Sequence, residues 1–84
     1  FWVSCRIMPN PFRDRAILLV SATGELNDAV ISIYNVFGSL VRKLEGVSAS
    51  MVPLYREDLP AGLYLYQLAD KKGNTLFTGK FIVN

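Results

Sequence analysis

The 84-residue sequence contains no histidine and a single cysteine, Cys5. Without histidine there is no Cys/His metal cluster, no Ser-His-Asp triad and no Cys-His pair, and one thiol cannot close an internal disulfide. An excess of either charge is also missing: nine Lys and Arg stand against seven Asp and Glu, a formal net charge of +2. The basic residues Arg6, Arg13, Arg15, Arg42, Lys43, Arg56, Lys71, Lys72 and Lys80 are spread along the chain, so they leave no nucleic-acid footprint. The longest apolar run, Ala16 to Val20, has the length of a strand. It falls far short of the roughly 20 residues a membrane helix needs. No basic stretch followed by a long apolar region opens the sequence, so no ordinary signal peptide is expected within these residues. It begins on Phe1-Trp2 in strand character, without Met, and is expected to be a piece of a longer protein.

What is present is apolar. Hydrophobic residues make up 51% and charged residues 19%, well outside the disordered class. The length suits one small domain, burying roughly 60–65% of its unfolded surface. Turn residues recur at short spacing: Pro9-Asn10-Pro11, Thr23-Gly24-Glu25, Asn27-Asp28, Asn35 to Gly38, Gly46, Pro60-Ala61-Gly62 and Lys71 to Asn74. Short β-branched and aromatic runs lie between them, the pattern of an all-β sandwich or barrel. Seven strands are predicted: Trp2 to Met8, Ala16 to Ala22, Ala29 to Tyr34, Leu40 to Glu45, Ser50 to Tyr55, Leu63 to Ala69 and Thr75 to Val83.

Alternation assigns faces to these strands. Ala29, Ile31 and Ile33 share one side of the third strand and should meet the core. The sixth strand is apolar on both sides, with Leu63 and Leu65 opposite Tyr64, Tyr66 and Leu68, as in a central strand or one covered by a partner. In the last strand the row Thr75, Phe77, Gly79, Phe81 and Val83 is the better core face. Gly38 and Gly73 each close a hairpin turn where a positive φ would strain any other residue. Pro53 lacks an amide donor, so its strand should be an edge or bulged.

Candidates for chemistry are weak. Glu57 and Asp58 are adjacent and would point to opposite sides of an extended chain, which makes them solvated turn residues. Cys5 has no histidine base and reads as a small buried hydrophobe. The six glycines never gather into a phosphate-binding loop, so no nucleotide site is expected. No catalytic, cofactor or metal site emerges. The rings of Phe1, Trp2, Phe12, Phe37, Tyr55, Tyr64, Tyr66, Phe77 and Phe81 could include a stacking platform for bases or sugars, although a domain this small needs most of its aromatics inside. Asp14-Arg15 and Arg42-Lys43 are expected on solvated faces that discourage stray edge pairing.

Four segments stand in a fixed order: "MPNPF", "IYNVFGSLVRKL", "LPAGLYLYQL" and, on the final residues, "GKFIVN". The series, from Met8 to Asn84, resembles the C-terminal sorting domain of type IX secretion cargo found in Bacteroidetes. Pro9 and Pro11 fix φ and withhold two amides, making a rigid corner around Asn10. Leu59-Pro60-Ala61-Gly62 is a turn that delivers Tyr64 into the next strand with its register set. Two departures accompany the match: Ser39 stands where the family commonly has a basic residue, and Asn84 follows the last aliphatic.

The resemblance implies an immunoglobulin-like antiparallel β-sandwich of about seven strands. It also implies a single C-terminal sorting domain, residues 1–84, that is a cargo label and no enzyme. The host protein would enter the periplasm by the general pathway, be recognised by an outer-membrane receptor and the type IX translocon, and reach the cell surface or medium. A surface sortase of the gingipain-like cysteine peptidase type typically then removes the domain and joins the host to anionic lipopolysaccharide. Carried over by position, the recognition residues are Pro9, Asn10, Pro11, Leu59, Pro60, Gly62, Tyr64, Lys80, Phe81, Ile82 and Val83, with Gly38 and Gly73 as structural turns. Other readings are an immunoglobulin-like accessory module binding carbohydrate or protein, a structural spacer, or a retained domain of the secretion machinery. Accessible terminal strands also allow an edge-paired or strand-swapped dimer.

Overall fold

The computed structural model describes residues 2–48 and 50–84. Seven strands form two antiparallel sheets: β1 (Val3–Met8), β2 (Arg15–Ala22), β3 (Ala29–Tyr34), β4 (Leu40–Val47), β5 (Met51–Tyr55), β6 (Gly62–Ala69) and β7 (Thr75–Val83). One sheet has the order β1-β2-β5 and the other β4-β3-β6-β7. These are the predicted strands, with ends shifted by a residue or two.

Period-two alternation produces the core. Cys5 and Ile7 of β1, Ala16, Leu18 and Val20 of β2 and Leu54 of β5 are buried on one inner face. Ala29, Ile31 and Ile33 of β3, Tyr64, Tyr66 and Leu68 of β6, and Phe81 and Val83 of β7 are buried on the other. Packing two such faces is the sandwich solution, each large aliphatic contributing about 1.5–3 kcal/mol. β6 lies centrally, between β3 and β7, while Leu63 and Leu65 on its outer side stay exposed. β5 is an edge strand, which leaves Pro53 without a required ladder bond on its open side.

The β4 expectation needs two corrections. The strand does not stop at Glu45 with Gly46 as a turn; it runs on to Val47 through a bulge. Between the pairs Ile31↔Leu44 and Ala29↔Val47, β4 contains one residue more than β3, and Gly46 takes it up at φ 65°. A second register shift, between Ile33↔Arg42 and Tyr34↔Leu40, displaces Val41. Nor is Arg42 on a solvated face. It pairs with Ile33, whose side chain is inward, and its guanidinium spans the gap between the sheets to donate to the carbonyls of Tyr55 and, at 3.0 Å, Arg56. Lys43, Asp14 and Arg15 are exposed as expected.

Both hairpin glycines have the positive φ their turns demand, 83° at Gly38 and 92° at Gly73. In the first turn the Asn35 side-chain oxygen accepts from the amides of Phe37 and Ser39, each at 3.0 Å. Gly79 serves a different purpose, a close approach. It pairs with Tyr66, and a Cβ there would lie 2.6 Å from the Tyr66 ring.

Candidate functional site

The sequence segments that lie far apart meet at the end of β7. The chain leaves β1 at Met8, crosses from one sheet to the other through Pro9-Asn10-Pro11, and lays Phe12 beside Val83 as a short parallel bridge. Phe12 donates its amide to the Ile82 carbonyl at 3.0 Å and accepts from the Asn84 amide at 2.8 Å. The two prolines flanking Asn10 have no N–H to contribute, and the Asn10 carboxamide substitutes for the missing backbone. Its oxygen accepts from the Ile82 amide at 2.9 Å, and its nitrogen reaches the Lys80 carbonyl at 3.5 Å. The edge of β7 from Lys80 to Asn84 is thereby covered by the first segment.

The third segment closes the same end from the side of β6. Leu59 is buried and donates its amide to the Arg56 carbonyl at 3.0 Å, and Gly62 begins β6 at φ 152°. The Tyr64 hydroxyl turns back to donate to the Pro60 carbonyl, which ties strand to turn. The Tyr64 ring stacks on Phe81 at 5.4 Å between centroids, and Phe81 stacks on Phe12 at 5.7 Å. Three rings from three segments thus fill the end of the core. Such stacked pairs contribute about 0.5–1.5 kcal/mol each beyond their burial.

Burial divides the expected recognition residues into two groups. Leu59, Tyr64, Phe81 and Val83 are buried, so they shape the end of the molecule without touching anything outside it. Pro9, Asn10, Pro11, Pro60, Gly62, Lys80 and Ile82 are exposed. Their surface continues over the outer face of the four-stranded sheet. There the register sets Leu40, Tyr34, Leu65 and Lys80 in one row across β4, β3, β6 and β7, with Leu63 and Ile82 in line beside them. Leu40, Leu63, Leu65 and Ile82 are each 40–52% exposed. At the β3–β4 hairpin Val36 and Phe37 project further, Phe37 at 88% exposure. Of the other rings named as a stacking platform, Trp2 and Tyr55 are exposed, Phe12, Tyr64, Tyr66 and Phe81 belong to the core, and Phe1 lies outside the described residues.

One residue was not singled out from the sequence. The Arg56 guanidinium donates to the carbonyls of Leu59 at 3.0 Å, Arg13 at 3.3 Å and Asn84 at 2.7 Å. No local pattern in "YREDLPAG" signals these contacts, because two of the three acceptors are remote main-chain atoms. Glu57, at φ 50°, and Asp58 form the adjoining turn. The Asp58 carboxylate is almost fully exposed, 3.6 Å from Arg42, and so remains a turn residue rather than half of an acid pair.

Titration properties fit a core and its turns. Burial pushes the Cys5 thiol up to about 11, which keeps it protonated and unreactive near neutrality. Burial, and secondarily the neighbouring Cys5, push Tyr66 up to about 12. In the β6–β7 turn, the Asn74 amide and then its side chain hydrogen-bond Asp70 and lower its carboxyl below the ordinary range, with Lys72 adding to the effect.

A solved structure with similar architecture is a DUF3244 family protein with an immunoglobulin-like β-sandwich fold from Bacteroides vulgatus ATCC 8482. It superposes with a TM-score of 0.66 at 18% identity, over 98% of this chain and 94% of that one. At that identity the likeness concerns the fold alone. No curated protein matches the sequence significantly. Residues 6–84 match the family profile described as the secretion system C-terminal sorting domain. The chain belongs to this family of type IX sorting domains, signals that send the proteins bearing them to the cell surface or out of the cell.

Proposed function

We propose that residues 1–84 act as a folded C-terminal sorting domain whose recognised feature is the end of β7 as the surrounding segments hold it. The observation that carries this is the convergence of the first and third segments on the fourth: Asn10 and Phe12 bond the edge of Lys80–Asn84, and the Tyr64 ring stacks on Phe81. Exposed Pro9, Asn10, Pro11, Pro60, Lys80 and Ile82 then form the contact surface toward an outer-membrane receptor and the translocon. Buried Leu59, Tyr64, Phe81 and Val83 fix its shape, and Gly62 sets the entry into β6.

In this reading the host protein crosses the periplasm with the domain folded and is passed outward by the type IX machinery. A surface sortase then removes the domain and joins the host to anionic lipopolysaccharide. The test is a reporter fused upstream of residues 1–84 in Bacteroidetes cells with and without a working type IX translocon. Delivery to the surface or medium only in the competent strain supports the proposal. Periplasmic retention of an intact, folded fusion in both strains overturns it and favours an accessory binding module. Release of the reporter from the domain at the surface, lost without the sortase, tests the processing step.

A further inference from the structure

We infer that Arg56 is the positioning residue of the sorting signal, a device that holds the tail after β7 in place without itself being read. The inference rests on the proposal that the end of β7 is what the machinery recognises. Arg56 leaves the end of β5 with its own amide bonded to the Asp14 carbonyl at 2.9 Å, and its carbonyl accepts from the Leu59 amide and from Arg42, each at 3.0 Å. Its backbone is therefore fixed from both neighbouring segments. The half-buried side chain then reaches three carbonyls that belong to three different pieces of chain: Leu59 in the turn before β6, Arg13 just after the proline corner, and Asn84 beyond β7.

Among the described residues the side-chain ion pairs are Arg42–Asp58 and Lys43–Glu45, whereas Arg56 directs its guanidinium to main-chain oxygens. A guanidinium is suited to this because its donors radiate in a plane and remain charged at every physiological pH. The contact to Asn84 is also its shortest, at 2.7 Å, and complements the bond from the Asn84 amide to Phe12 at the other end of the same residue's backbone. Asn84 is thus held through both its N–H and its C=O. Arg42 extends the same arrangement to the edge of β4, since it grips the Tyr55 and Arg56 carbonyls that carry the guanidinium.

The experiment uses the reporter fusion with Arg56→Ala, Arg56→Lys and, as a control in an exposed turn, Lys71→Ala. Hydrogen exchange of the purified fusion, read by mass spectrometry, follows a peptide containing residues 82–84 and a peptide from β3, while cells report delivery. Arg56→Ala should speed exchange of the tail peptide about tenfold, with β3 still protected, and lower delivery in parallel. Arg56→Lys keeps the charge but cannot fork to three carbonyls, so it should restore only part of either effect. If Arg56→Ala loses protection in β3 as well, the lysine variant carries the comparison. Unchanged tail exchange overturns the inference, and so does faster tail exchange with undiminished delivery. A wild-type fusion that is not delivered at all overturns the sorting proposal beneath it, a result separable from both because the tail-exchange arm still reads whether Arg56 holds the tail.

Discussion

Asn10, Tyr64 and Arg56 each use a polar side chain to complete main-chain bonding at one end of the sandwich. Tyr64→Phe removes the hydroxyl that donates to Pro60 while keeping the stacked ring, and should lower stability by about 1 kcal/mol in urea unfolding. Gly79→Ala drives a methyl into the Tyr66 ring, which is packed against Phe77 and Phe81. The ring must move, at a cost of about 1–3 kcal/mol, and a Tyr66 fluorescence or NMR ring-shift change should accompany it. At alkaline pH the buried thiol matters. An unfolded Cys5 ionises near 9.0 and the folded one near 11, so between those values the unfolded chain has released a proton that the folded chain retains. Stability should therefore fall as pH rises from 9 toward 11, and Cys5→Ala should flatten that part of the unfolding profile. Asp70 acts at the other extreme. Its carboxyl is lowered, so its contribution is present above the ordinary carboxylate range and disappears as pH falls through its folded value.

At the scale of the strand, short apolar runs between turn residues were enough to read β1, β2, β3, β6 and β7, and alternation chose the inner rows of β3 and β7, because one face of each meets the opposing sheet. Ala29, Ile31 and Ile33 show this most simply. β6, apolar on both sides, did not show which row is inner. β4 was harder, since its two bulges break the period and Gly46 has the same signature in a bulge as in a turn. Replacing Gly46 by alanine should cost about 1–2 kcal/mol, because φ 65° lies in the left-handed region, even though the space beside it is open. The four ordered segments were legible as words, and the prolines and the glycine turns carried their own geometry. Their meeting was not. Asn10 bonds Ile82 across 72 positions, and Arg56 bonds Asn84 across 28, and no local periodicity encodes either contact. Arg42 was misread for the same reason, as a surface charge, when its guanidinium donates to the carbonyls of Tyr55, at the end of β5, and Arg56 just beyond it. Asn10→Ala removes two bonds from the β7 edge and should raise exchange at the Ile82 amide with a stability loss of about 0.5–1.5 kcal/mol.

For the whole molecule, the fold places a linear tail inside a three-dimensional frame. The last residues of β7 pair with β6 on one edge and with the Asn10–Phe12 segment on the other, and their inward rings and aliphatics are core. A partner meeting the intact domain encounters Lys80 and Ile82 together with the proline corner, the Pro60 turn and the apolar row of Leu63 and Leu65. An extended peptide of the same last residues would present Phe81 and Val83 as well, and none of the flanking segments. The most direct measurement compares surface delivery of one reporter carrying residues 1–84 with the same reporter carrying only residues 75–84, in cells with a working type IX translocon. A signal read as a folded assembly predicts delivery by the complete domain and retention of the short fusion. Equal delivery by both would contradict it, since the tail would then be read without the frame that holds it.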